Sequence, residues 1–94
     1  MNMWAVEYLK EAIEDLGKLD RSQQLQVIKA INKVASNPLP HTEGGFGKPL
    51  GSRIRVTLTG YCKIKLRKLG IRVVYKAVKE DKVMRVVVIS SRDD

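Results

Sequence analysis

Cysteine, histidine, tryptophan and phenylalanine each occur once in this 94-residue chain, and proline three times. One cysteine, Cys62, cannot build a disulfide framework or a zinc site. It sits in an alternating apolar run and reads as a small core-facing residue. The single histidine, His41, lies in a stretch rich in proline and glycine, where it reads as solvent-exposed rather than catalytic. No apolar run approaches the ~18–20 residues that cross a bilayer, and no signal-like apolar stretch follows the start. The expectation is a reduced, cytoplasmic setting with no membrane partner, no metal and no cofactor. Gly44-Gly45-Phe46-Gly47 is followed by Lys48-Pro49, not by the G-K-[ST] of a phosphate-cradling loop.

Acidic residues are scarce as well. Ten Asp and Glu stand against eighteen Lys and Arg, for a net charge of +8 and a pI of about 9.9. The imbalance is confined to one half of the chain. Residues 1–47 hold five cations against six acids, and residues 48–94 hold thirteen against four. Such asymmetry indicates a charged binding surface more than general solubility. The length suits one domain, 1–94, with a single modest core.

The spacing of apolar residues predicts the elements. Trp4, Val6 and Tyr8 share one face of a short N-terminal strand. From Leu9 the period becomes helical, with Leu9, Ala12, Ile13, Leu16 and Leu19 on one stripe. Asp20 is placed as the N-cap of a second helix whose stripe is Leu25, Ile28, Ile31, Val34 and Ala35. That helix ends at Ser36-Asn37-Pro38, because a residue before proline disfavours helix. The short link at 17–20 makes the two helices a hairpin. Residues 41–52 form a loop, and residues 53–58 alternate as a strand or an extended arm. Two strands follow, flanking a turn at Lys68-Leu69-Gly70, and a β-branched strand, Val83 to Ser90, comes last. The fold class is α+β: an N-terminal strand and a helical hairpin packed on an antiparallel sheet of three to four strands.

The segment Gly60 to Lys76, GYCKIKLRKLGIRVVYK, carries the chemistry. Lys63, Lys65 and Arg67 alternate with Cys62, Ile64 and Leu66, so a strand here has one apolar and one cationic face. The return run brings Arg72 to the same surface. Alternating cations are often only the solvated face of an antiparallel sheet. Four of them within ten residues repel one another, and a polyanion, nucleic acid above all, explains them better. Lys48, Arg53, Arg55 and Lys68 extend the candidate contacts to RNA. Tyr61 shares the parity of Lys63 and Lys65 and could stack on a base, as could Trp4, Tyr8 and Phe46. Trp4 and Tyr8 read rather as core or interface residues. By parity with Ile71 and Val73, Tyr75 packs under the helices.

The helix YLKEAIEDLGKLD, the ending NPLP, the GKPLG loop, and above all YCKIKLRKLGIRVVYK followed by VVVIS resemble the RelE/ParE toxin superfamily of bacterial toxin–antitoxin modules. Within it the chain resembles the RelE-like mRNA interferases. The resemblance implies a metal-free endoribonuclease that cleaves mRNA in the ribosomal A site by attack of the ribose 2′-OH. Its partners would be mRNA, the ribosome and a cognate acidic antitoxin, the last in a toxin–antitoxin hetero-oligomer. The family's catalytic cations map to Lys63, Lys65 and Arg72, with Arg92 in the place of a further arginine after the last strand. In-line transfer needs a base, oxyanion stabilisation and an acid. Lys63 and Lys65 each disfavour protonation of the other, so either is a candidate base, while Arg72 clamps the phosphate. Family members commonly continue into a tail that bears a tyrosine, and no tyrosine follows Tyr75 here. The expectation is a chain that binds antitoxin and ribosome but cleaves more slowly than a version with such a tail. The alternatives are a ParE-like inhibitor of DNA gyrase, or an impaired toxin that keeps antitoxin binding.

Overall fold

A computed structural model describes residues 3–50 and 60–91. Among these, the alternating segments form β1 (Ala5–Tyr8), β2 (Lys48–Pro49), β3 (Tyr61–Leu66), β4 (Ile71–Val78) and β5 (Val83–Ser91). The 3.6-period segments form α1 (Lys10–Gly17) and α2 (Arg21–Val34), and His41–Glu43 makes a 3-10 turn. The strand order is β1-β5-β4-β3-β2. The pairs β2–β3, β3–β4 and β4–β5 are antiparallel, and β1 lies parallel to β5. The α+β class is therefore as expected. The N-terminal strand is itself an edge of the sheet, so the sheet is mixed and five strands wide. The alternating segment at 53–58 lies outside the described residues.

Asp20 does cap α2. Its side chain accepts from Gln23 N at 2.8 Å, and Gln23 Oε1 accepts from Asp20 N at 3.2 Å, a reciprocal capping box. The helix faces differ from the expected stripes. Val27, Ile31 and Ala35 are fully buried at four-residue spacing, whereas Leu25 and Ile13 are each 57% exposed. The buried stripe of α2 runs through Val27, on the far side of the helix from Leu25, because a mostly polar helix has several near-equivalent apolar stripes. The sheet it lands on selects one. The two helices also cover separate ground. α1 lies over β5 and β1, and α2 over β3.

Both helices rest on one face of the sheet. Cys62, Val73, Tyr75, Met84 and Val86 are fully buried there, with Ala12, Val27 and Ile31 from the helices. Val86 and Ile89 are three residues apart, so a regular strand would turn one of them outward. A bulge in β5, where Val74 pairs with Val88 and Tyr75 with Val86, absorbs the extra residue and keeps both inward. Beyond β1, the remaining edge of β5 is served by α1: Asp15 Oδ2 accepts from Ile89 N at 3.0 Å.

Tyr75 sits at the centre. Its hydroxyl donates to Pro38 O at 2.8 Å, which ties the segment after α2 to the middle of β4. Gly47 lies against that hydroxyl and against Cys62 Sγ so closely that a Cβ would collide with both. Burial pushes the Tyr75 phenol well above its ordinary value of 10.0 and raises the Cys62 thiol above 9.0.

An unfolded chain releases these two protons first, so alkaline pH favours unfolding. The melting temperature should hold through neutral pH and fall as pH rises through 9.0 and 10.0, the ordinary values of the two groups. Tyr75→Phe leaves the buried Pro38 carbonyl without its donor. It should cost about 1–3 kcal/mol in urea denaturation and flatten the alkaline decline.

Candidate nucleic-acid interface

The helices leave the other sheet face uncovered, and alternation sends every second residue of β3 and β4 to it. Register then assembles the cations into rows. In the first row Lys65 stands opposite Arg72, with Ser90 beyond it on β5. In the second, Lys48 stands opposite Lys63, followed by Val74 and Val88. In the third, Tyr61 stands opposite Lys76, and Lys76 opposite Arg85. Successive rows are ~6.8 Å apart, two residues along a strand, and neighbouring strands ~4.8 Å.

Three of these cross-strand pairs, Lys48–Lys63, Lys65–Arg72 and Lys76–Arg85, join like charges. Like charges directly opposite each other destabilise a sheet. The third pair is relieved internally, because Arg85 Nε donates to Glu7 Oε1 at 2.6 Å across the β1–β5 pairing. Lys76 also lies over the Tyr61 ring, 5.3 Å from its centroid. Glu43 pairs with Lys79, again away from the first two rows. Lys48, Lys63, Lys65 and Arg72 thus gather on two adjoining rows of one face. Arg72 is half-buried, and its Nε is enclosed without a hydrogen-bond partner among the described residues.

Of the residues singled out in the sequence, Lys63, Lys65, Arg72, Lys48 and Tyr61 share this face. Arg67 and Lys68 are exposed but belong to the turn between β3 and β4, since the strand ends at Leu66. That turn closes through Gly70, at a φ of 67° that suits glycine. Arg53, Arg55 and Arg92 lie outside the described residues. His41 is exposed, as expected. Lys76 and Arg85 escaped the sequence reading. Parity with Arg72 would have found Lys76, but Arg85 joins the face only through the register of β5 across its bulge. No group of three or more His, Cys, Asp or Glu side chains among the described residues could hold a metal ion.

Comparison with known proteins places the chain in context. The family described as ParE toxin of type II toxin–antitoxin system, parDE, matches residues 6–94. A RelE-like toxin protein of Escherichia coli is 30% identical over 91 residues, covering 96% of this chain and 84% of that protein. The fold superposes on the isolated E. coli RelE toxin with a TM-score of 0.78 at 23% identity, over 97% of this chain and 86% of that one. The intact E. coli RelBE toxin–antitoxin complex gives the same TM-score and identity, over 97% and 99%.

If the first two rows carry the field, Lys63→Ala and Arg72→Ala should each elute from immobilised heparin at lower salt than the parent. Each should reduce the salt slope of binding by about one. Lys29→Ala, on the exposed side of α2, removes the same charge and should elute close to the parent.

Proposed function

This chain belongs to the ParE toxin family within the RelE/ParE superfamily, the toxins of type II toxin–antitoxin systems, and on that footing we propose that it is a ribosome-dependent endoribonuclease of the RelE-like kind. The observation that carries the proposal is the Lys65–Arg72 pair beside Lys48–Lys63. These two pairs gather four cations on the sheet face opposite the helices, an arrangement suited to a polyanion.

The chemistry follows from that geometry. The ribose 2′-OH of mRNA in the ribosomal A site attacks the adjacent phosphorus. The bond from 2′-oxygen to phosphorus forms, the bond to the 5′-oxygen breaks, and a cyclic phosphate remains. Lys63 or Lys65 takes the proton from the 2′-OH. Arg72 stays charged and holds the non-bridging oxygens through parallel N–H donors, where charge accumulates in the transition state. The departing 5′-oxygen leaves with a proton from a second acid. Lys48, with Arg67 and Lys68 at the end of the sheet, holds flanking phosphates, which needs charge alone. The natural antagonist is an acidic antitoxin segment that folds onto the toxin and neutralises this face. A RelBE complex among the structures of the same fold supports that partner.

A second reading has its own support. The matching family is that of ParE toxins, and the resemblance to ParE implies inhibition of DNA gyrase by binding, without chemistry on RNA. Shared fold does not decide between the two.

The test is mRNA cleavage in a translating extract, read as new 5′ ends within A-site codons. Arg72→Ala should lower cleavage by about 100-fold or more, the scale of losing one oxyanion-stabilising donor. Lys63→Ala and Lys65→Ala should each relieve growth inhibition. All three should keep the fold by circular dichroism, since surface substitutions usually shift stability by less than ~0.5 kcal/mol. Undiminished toxicity in all three, or no cleavage alongside inhibited DNA supercoiling, would replace the nuclease by the gyrase reading.

A further inference from the structure

Phe46, the chain's one phenylalanine, is 61% exposed, the most exposed of the large apolar side chains among the described residues. An isolated exposed apolar residue needs no explanation. This one is held out by a loop that is otherwise tightly fastened. Phe46 N donates to Asn37 O at 2.9 Å, Gly47 N to Leu39 O at 2.9 Å, and His41 N to Gly47 O at 2.8 Å. Gly45 and Gly47 lie flush on the Leu39 backbone, with no room for a side chain at either. The ring is therefore presented by a braced segment, and it does not reach solvent through looseness of the chain.

Its position follows from its neighbours. The missing Cβ of Gly47 would point at the Tyr75 hydroxyl and Cys62 Sγ, so Gly47 faces inward. Pro49 pairs with Cys62 and faces inward too, and Lys48 between them faces outward opposite Lys63. Phe46, two residues before Lys48, stands exposed in the bend that leads into β2. The result is an exposed aromatic ring two residues from Lys48, where the second cationic row begins. Positive charge that tracks a backbone, with an aromatic ring alongside, is the physical signature of single-strand nucleic-acid binding, because every base has a face on which to stack. The other aromatic of this face, Tyr61, is half-buried and already engaged by Lys76.

We propose that Phe46 is a base-stacking platform for the RNA strand held across Lys48, Lys63, Lys65 and Arg72, and so a binding and positioning residue of this site. The proposal rests on the nuclease reading for its ligand but predicts a separate observable, the part of the affinity that depends on bases. Phosphates bind the cations, and the base next to them settles on the ring. The ring fixes where the strand lies relative to Arg72.

The experiment compares two polyanions on the purified chain at fixed salt: a short fluorescent single-stranded RNA and inorganic polyphosphate, which has the charge without bases. Phe46→Ala should weaken RNA binding by roughly tenfold, the order of one base–aromatic stack, and leave polyphosphate binding and the salt slope unchanged. Phe46→Trp should bind RNA at least as well as the parent. Arg72→Ala should weaken both ligands, which separates failure of the cationic site from failure of the stack. Unchanged RNA affinity in Phe46→Ala, while Arg72→Ala weakens it, overturns the platform and leaves the nuclease reading standing. Equal loss of RNA and polyphosphate binding in Phe46→Ala also overturns it, since the ring would then only support the loop. No RNA binding by the parent chain overturns both. Normal RNA binding with loss of binding to an antitoxin would assign the ring to a protein contact instead.

Discussion

The burial of Tyr75 is the constraint on which the rest of the molecule depends. A phenol with no exposed surface must keep its hydroxyl paired, and Pro38 O is its partner. That single bond joins the segment after α2 to the middle of β4 and brings Gly47 and Cys62 against the ring. It also settles parity. With Tyr75 inward, Val73 and Ile71 are inward, and Arg72 and Lys76 have no choice but the opposite face. A slip of one residue in β4 would bury the cations and expose the core, so the apolar side of the sheet enforces the cationic side.

What the other face tolerates is a local conflict. Cross-strand pairs of like charge work against the sheet that carries them, and Glu7 offsets one of the three. The other two adjoin each other. Departures from local self-consistency are where function is expected, because a binding surface is completed by its ligand. The glycines at 45 and 47 belong to the same logic. They let the loop before β2 lie flat on Leu39 and Tyr75, and this seating sets Lys48 on its cationic row.

Much of this surface was legible in one dimension. Period-2 alternation in YCKIKLRKLGIRVVYK separates Lys63 and Lys65 from Cys62 and Ile64 without reference to any other segment. The capping residue Asp20, the end of α2 before Pro38 and the inward direction of Tyr75 are similarly local. The apolar stripe of α2 was not legible. Leu25 and Val27 are equally apolar, and only the position of the sheet beneath decides which is buried.

The sequence by itself thus determined the α+β class and a cationic strand face carrying Lys63, Lys65 and Arg72, because alternation and helical period act between neighbours in the chain. The tertiary structure alone decided which cations meet. Lys65 reaches Arg72 and Lys48 reaches Lys63 through antiparallel register, β1 joins as a parallel edge through its pairing with β5, and Arg85 joins the face across a bulge. It also decided that Phe46 stands outside while Gly47 lies against the core. These are contacts between segments distant in sequence, and no local pattern encodes them, since they arise only when one shared core satisfies all the strands at once.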